Sequence, residues 1–332
     1  MIIKHNVQLQ PHNSFRTKAL AKIFCEPQSA EELSEIVNAF PNERKLILGK
    51  GFNLFFTKDF DGIVIKPAMH GIRILRENDR FVEIEAAAAE DWDHFVKYCV
   101  DNGYAGIENL SLIPGSVGAC PVQNIGAYGT EAMDAIVGVK AVDIPTGGCV
   151  AFSREECGFG YRDSIFKRTA LYAITSVVFR LEKSFQYREK YIDLHRELEG
   201  IPSPTLAQVR DAVIRIRNRK LPDYNLLPNA GSFFKNPVLT EEEKDRLLSE
   251  LPDAPVYTTN EGQFKTSAAF LIDRAGYKGK RRGMAGVYAG HSLIIVNYGT
   301  ENGREIVDFM QEVQHEVRQR FGIMLAPEVR IY

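Results

Sequence analysis

The stretch from Asn109 to Gly129 constrains this chain more than any other. It holds four glycines (Gly115, Gly118, Gly126, Gly129), two prolines (Pro114, Pro121), and many small or amide residues, with few charges. A solvated surface loop of that length would carry more charge. Glycine permits backbone conformations and close approaches that other residues resist. The composition therefore suits a backbone lying tightly against a flat, neutral ligand with a phosphate tail. The plainer alternative is a buried crossover with turns. A shorter loop, Gly49-Lys50-Gly51-Phe52-Asn53-Leu54, follows the strand-like run 45–48. Successive backbone N–H groups in such a loop can turn toward an anion. It is neither a complete G-x-G-x-x-G, because Leu54 ends it, nor a Walker A loop. Alone it reads as a strand-connecting turn; together the two loops favour a nucleotide-type cofactor.

Charge and cysteine content narrow the remaining classes. Lys plus Arg number 41 against 43 Asp plus Glu, a formal charge of −2, so the basic footprint of a nucleic-acid binder is missing. With 45% hydrophobic and 25% charged residues, most of the chain is expected to be ordered. The 332 residues suggest about two domains. No apolar run approaches the ~20 residues of a membrane span, and the first residues lack the order of a secretory signal. Five scattered cysteines (25, 99, 120, 149, 157) show no C-x-x-C spacing and read as buried reduced thiols. The seven histidines are scattered, so no metal site is expected. A cytoplasmic protein fits these points.

Helix starts are marked by Ser29…Glu32, Thr205…Gln208 and Thr240…Glu243, each a capping-box pattern. The second opens a helix with Leu206, Val209, Val213 and Ile216 on one face. Ile306, Phe309, Met310, Val313, Val317 and Phe321 recur at helical spacing near the end. Strand-like runs fall at 45–48, 62–65, 81–86, 136–143, 170–180 and 293–297. The mixed order predicts an α+β architecture and not a regular doubly wound sheet. Residues 181–204 are polar and end in Ile201-Pro-Ser-Pro, which marks a connection.

Three polar clusters stand out. Tyr161-Arg162-Asp163 offers a guanidinium fork for a carboxylate, or a surface ion pair. Lys220-Leu-Pro-Asp runs into Asn229-Ala-Gly-Ser232-Phe-Phe-Lys235-Asn236-Pro, an anion pocket or a capped turn. Pro327-Glu328-Val-Arg330 lies near a docked chain end, where Glu328 by itself is a solvated carboxylate. His291 precedes the apolar run 293–296 and reads as a hydrogen-bonded residue at the core edge. No G-x-S-x-G nucleophile elbow or H-E-x-x-H motif occurs.

Several long runs together resemble the UDP-N-acetylenolpyruvoylglucosamine reductase (MurB) family, flavoenzymes of bacterial cell-wall precursor synthesis. They are Asn13–Arg16, Gly49–Leu54, Gly106–Gly118, Gln123–Gly129, Gly160–Lys167, Ala230–Pro237, Ser267–Gly276 with Lys278-Gly279, His291 ahead of Ile294–Asn297, and Pro327–Arg330. The resemblance spans nearly the whole chain. It implies an FAD-binding half of the vanillyl-alcohol-oxidase/PCMH type, residues 1–185, with lobes at about 1–68 and 69–185. A linker or substrate loop at 186–204 and a smaller α+β substrate-binding domain at 205–332 would follow.

By that resemblance, Gly49, Lys50, Gly51, Phe52 and Asn53 hold the FAD pyrophosphate. Pro114, Gly115, Ser116, Gly118, Ala119, Asn124, Gly126, Ala127 and Tyr128 line the pyrophosphate and isoalloxazine. NADPH would reduce FAD, and the reduced flavin would pass hydride to the enolpyruvyl ether of UDP-N-acetylglucosamine. The resemblance makes Arg162 the partner of the substrate carboxylate, Glu328 a protonated or shared neighbour of it, and Ser232 the proton donor. Serine is a poor acid, so Lys220, Lys235 and Asn236 are candidates to support it; Lys220 and Asn236 also suit the diphosphate. Tyr161 and His291 are further substrate-site candidates. Tyr191 matches the tyrosine-bearing loop of the family's type I members, which closes over the diphosphate. A monomer is expected, with no nucleic-acid or membrane partner.

The chain departs from the family pattern at four places. Phe52 stands where serine is usual, Leu112 where glycine is common, and Tyr224 and Pro228 replace the usual proline and glycine. The loss of a hydroxyl at position 52 makes the loop lean on backbone N–H groups. Two alternatives remain at this stage. One is an FAD-dependent oxidase or dehydrogenase acting on an alcohol or hydroxy acid; such enzymes often tether flavin through histidine, which neither glycine loop contains. The other is a non-catalytic nucleotide-binding protein, although Arg162, Ser232 and Glu328 are all present.

Overall fold

The computed structural model describes residues 2–187, 191–259 and 262–332. Residues 188–190 of the expected linker lie outside the described residues. The chain divides into two compact units that do not follow chain order. The first comprises Met1–Val7, Ala21–Lys50 and Asp61–Arg219; the second comprises Gln8–Leu20, Gly51–Phe60 and Lys220–Tyr332. The sequence reading instead ran each domain continuously, and gave the helix after Thr205 to the second.

Two larger sheets, beside the small hairpin of Gly126–Ala127 and Thr130–Glu131, build the first unit. A four-stranded sheet runs Ile3–Gln8, Leu20–Cys25, Phe60–Ile65, Lys45–Ile47, with the last pair parallel and Lys45 opposite Ile63. A five-stranded antiparallel sheet runs Cys149–Ser153, Ile136–Asp143, Tyr172–Glu182, Phe81–Ala87, Ile72–Glu77. Alternation decides which face is buried: Val82, Ile84 and Ala86 point inward with Val177, Phe179 and Leu181. Helix Trp92–Asp101 covers that face, with the Phe95 and Phe179 ring centroids 4.9 Å apart. Its start is fixed by Asp91, whose carboxylate accepts the His94 N–H at 2.8 Å.

The second unit is assembled from three separated stretches of chain. Strand Leu54–Phe55 pairs in parallel with Arg330–Ile331. Phe15, Phe55 and Phe233 meet in its core, with centroid separations of 5.0, 5.9 and 6.1 Å. Helix Gly303–Phe321 lays Ile306, Phe309, Met310, Val313 and Val317 against this core and ends at Gly322, in the left-handed conformation that suits a helix C-terminus.

The patterns around Thr205 and Thr240 form complete reciprocal capping boxes. At Ser29 only half forms: Ser29 Oγ accepts from Glu32 N–H, while Glu32 turns its carboxylate to the Gln28 N–H. Two sequence expectations are corrected. The 181–204 connection contains a short helix, Ile192–Glu197, anchored by buried Leu194. Cys149 is exposed because it lies on an outer strand, whereas Cys25, Cys99, Cys120 and Cys157 are buried and free. The second unit carries short strands that the sequence did not mark, including Val256–Thr258, Phe264–Thr266 and Ala285–Val287. No helix among the described residues is long and apolar enough to cross a membrane.

Candidate functional site

In the first unit the start of the short glycine loop, Gly49, meets the long loop some seventy residues on. A Cβ added to Gly49 would lie 3.1 Å from Ser116 Oγ and 3.5 Å from the Ala119 Cβ. Gly118 packs against the backbone beneath it: its N–H donates to Ala88 O at 2.9 Å, and a Cβ there would come within 2.6 Å of the Ala88 Cβ. Gly115 differs. Its φ of +146° demands glycine, and an added Cβ would meet nothing within 4 Å. Pro114 precedes this turn, and the Gly115 carbonyl accepts the Trp92 N–H. Thus Gly118 serves packing, Gly115 is required by its φ, and Gly49 lies against buried Ser116 and the Ala119 Cβ where the loops meet. Lys50 is ion-paired with Asp91. Such a cradle of small residues fits a dinucleotide, whose phosphates approach backbone closely.

The far end of the long loop is braced from within. Asn124 is fully buried with φ +45°, and its amide donates to Glu131 at 2.9 Å and to Gly160 O at 3.1 Å. Its side chain is therefore spent on the protein. Arg162 donates to Gly126 O at 2.8 Å, stands 3.6 Å from Glu131 Oε1, and lies over the Tyr161 ring. Asp163, the neighbour that suggested a surface pair, is instead bonded to Arg168. Gly126 leaves room for the guanidinium: a Cβ there would sit 2.9 Å from it. Ala127 pairs with Thr130 in a small hairpin. Tyr128, also left-handed at φ +49°, meets Tyr191 edge to face at 5.3 Å.

Sequence reasoning missed the ionic group behind this loop. Arg210 grips Asp93 with two bonds of 2.7 and 2.9 Å. Asp93 also accepts the Leu112 N–H at 2.5 Å, and Arg217 donates to Leu112 O at 3.2 Å. Leu112 has φ +58° and is clamped from both sides. Burial would raise the Asp93 carboxyl, but the Arg210 and Leu112 donors outweigh it and hold it below its usual range. Burial lowers Arg217, opposed by the charges of Tyr128 and Asp93; burial likewise raises Tyr128. The signal was legible: Arg210 and Arg217 fall on the same helical face as Leu206, Val209 and Val213.

In the second unit one backbone framework carries several candidates. Ser232 precedes Phe233, whose N–H donates to Leu293 O at 2.9 Å and whose carbonyl accepts the Glu328 N–H at 2.8 Å. Asn53 accepts the Arg330 N–H at its carbonyl, and its amide reaches Glu328 O at 3.4 Å. Phe52 stacks edge to face on Tyr224. His291 is half-buried, and its Nδ1 accepts the Leu293 N–H at 3.2 Å. Burial pushes its imidazole below 6.5, and Lys220 and Lys278 push it the same way. Asn236 uses its amide oxygen to accept the Ala268 N–H at a helix start. Among the described residues, no cluster of three or more His, Cys, Asp or Glu suited to a metal ion occurs.

Comparison with known proteins resolves the family. Residues 222–332 match the C-terminal domain of UDP-N-acetylenolpyruvoylglucosamine reductase, and residues 21–153 match an FAD-binding domain. A reductase of that name from Flavobacterium johnsoniae is 44% identical over the full length of both chains. The chain belongs to the UDP-N-acetylenolpyruvoylglucosamine reductase family. A second member, from Chromobacterium violaceum, is 43% identical over 97% of each chain. The solved structure of UDP-N-acetylenolpyruvylglucosamine reductase from Thermus caldophilus has the same fold, with a TM-score of 0.69 at 23% identity, covering 100% of this chain and 99% of that one. The expected α+β architecture with an FAD-binding domain holds. The protein is an oxidoreductase of a family that uses FAD and NADPH.

Proposed function

We propose that this reductase converts the enolpyruvyl ether of UDP-N-acetylglucosamine to UDP-N-acetylmuramate with NADPH, in the cytoplasm, for peptidoglycan precursor synthesis. The observation that carries the reading is full-length identity of 44% to a reductase of that name. The presence of Arg162, Ser232 and Glu328 at the matching positions supports it. FAD, when bound, supplies hydride taken from NADPH to C3 of the enolpyruvyl group.

The chain's own residues do the remaining work. The Gly49–Asn53 loop holds the FAD pyrophosphate, and the Pro114–Tyr128 stretch lines the pyrophosphate and isoalloxazine. Arg162, already oriented by Gly126 O, presents its guanidinium to the substrate carboxylate and offsets negative charge as it grows; fixed donors aimed at developing charge are usually a large catalytic contribution. Ser232 delivers the proton to C2. Glu328, the neighbour of the substrate carboxylate, is protonated or shared, because two like charges at short range disfavour ionisation. Lys220 and Asn236 take the substrate diphosphate, and Tyr191 closes over it; Tyr161 and His291 complete the substrate contacts. The protein works as a monomer.

The test is a two-step anaerobic reaction. NADPH is expected to bleach the flavin band of the purified protein. UDP-N-acetylglucosamine enolpyruvate is then expected to restore it, with UDP-N-acetylmuramate formed. A flavin that is reduced but ignores this acceptor would refute the assigned substrate.

A further inference from the structure

Glu131 has no task in the proposed reaction, yet its carboxylate stands against Arg162. It lies opposite Gly126 in the small hairpin. Its Oε1 faces the Arg162 guanidinium at 3.6 Å, and its Oε2 accepts the Asn124 amide at 2.9 Å. Gly126 makes the meeting possible. A Cβ there would lie 2.9 Å from Arg162 Nη1 and 3.0 Å from Glu131 Cγ, in the space where the two side chains converge.

The carboxylate is itself fixed. It accepts the Asp134 N–H, while Asp134 accepts the Glu131 N–H at 2.9 Å, a reciprocal box around the turn Ala132–Asp134. Asn124, which it holds, also donates to Gly160 O at 3.1 Å and accepts the Met133 N–H at 3.0 Å. Gly160 and Asp163 close the turn that carries Arg162, with mutual backbone bonds of 3.0 and 3.2 Å. Glu131 thus reaches the guanidinium directly and, through Asn124, the backbone beneath it.

Arg162 occupies that turn at φ +53°, a left-handed conformation that disfavours any residue with a side chain. Glycine would relieve the strain, so the strain is kept for what the side chain does. A guanidinium is a planar fork that meets a carboxylate well only in defined directions. Whatever sets its plane therefore decides how it receives a substrate carboxylate.

We infer that Glu131 is a positioning residue for Arg162. Its carboxylate, tied to Asn124, sets the plane in which the guanidinium meets the carboxylate of the substrate. This rests on the proposed role of Arg162.

Stopped-flow reoxidation of the NADPH-reduced holoenzyme by UDP-N-acetylglucosamine enolpyruvate tests it. Glu131→Gln keeps the size of the side chain and an acceptor for Asn124, but removes the charge. It is expected to lower the limiting reoxidation rate about tenfold, as misplacement of a catalytic group does. Flavin reduction by NADPH should stay within about twofold of wild type, because no substrate carboxylate takes part in it. The decisive readout is the cycle with Arg162→Lys, since a lysine ammonium has no plane to set. In that background Glu131→Gln should slow reoxidation no further. Equal losses in the two backgrounds overturn the inference, as does equal slowing of both half-reactions, which would make Glu131 a general support of the fold. If Arg162→Lys slows reoxidation and Glu131→Gln does not, only the Glu131 inference falls. If Arg162→Lys leaves reoxidation unchanged, the role of Arg162 falls and this inference with it.

Discussion

Phe52 and Tyr224 meet edge to face, with ring centroids 4.6 Å apart and planes at 71°. The sequence reading marked both as departures from the family pattern, and they are each other's partners. Such an aromatic pair contributes about 1 kcal/mol beyond area burial. Phe52→Ala and Tyr224→Ala are each expected to lower stability. The double variant should lose less than the sum of the two, by about 1 kcal/mol, in urea unfolding. Strict additivity would show that the contact is incidental.

Replacing Ser232 separates the two half-reactions. Ser232→Ala is expected to leave flavin reduction by NADPH near the wild-type rate, because no proton from Ser232 is needed there. Reoxidation by the enolpyruvyl substrate should slow by about 100-fold or more, the usual weight of a positioned proton donor. Stopped-flow absorbance of the flavin band measures both. Equal loss in the two steps would remove Ser232 from its role.

The Asp93–Arg210 pair holds Leu112 in a conformation that costs an ordinary residue about 1–2 kcal/mol. Asp93→Ala leaves Arg210, 7% exposed, without its carboxylate. The expected destabilisation is about 3 kcal/mol, in the range for breaking a buried pair from one side. In a Leu112→Gly background the loss should be smaller, since glycine needs no clamp. Chemical denaturation of the four proteins checks this. Because the Asp93 carboxyl is held below 3.8, its contribution is complete above that pH and disappears as pH falls through the folded value.

His291 gives proton linkage of the same sign in a higher pH range. Its folded pKa lies below 6.5, so above 6.5 the ring is neutral in both states. As pH falls below 6.5 the unfolded chain takes up the proton first, and stability declines until the folded value is reached. Thermal midpoints across pH 5–8 should therefore slope more steeply in wild type than in His291→Gln. Identical slopes would mean that the ring stays as easily protonated as in the unfolded chain.

Elements with a local signature were legible in the sequence. The boxes at Thr205 and Thr240, the apolar stripe from Ile306 to Phe321 and the strand Ile136–Asp143 depend on neighbours within a few residues. The glycine loops were recognisable by composition, but composition did not separate their tasks. Gly118 is dictated by Ala88, and Gly115 by its own φ. Asn124 looked like a ligand group, and its side chain proves to be committed to Glu131 and Gly160. What escaped was long-range. Nothing near Leu112 announces that Asp93 and Arg217 will grip it. Nor does the sequence around Leu54 show that its strand partner is Arg330.

The triad of Phe15, Phe55 and Phe233 draws one ring from each stretch of the second unit, and the strand beside Phe55 is completed only by Arg330–Ile331. Synthesis runs from the N-terminus, so Phe15 and Phe55 emerge long before their partners exist. The ribosome must deliver almost the entire chain before this core can close. The first unit has nearly all its strands by Glu182 and can condense earlier. The order of assembly is thus written into the threading. During that interval the exposed rings of the early segments are surfaces that a chaperone would find.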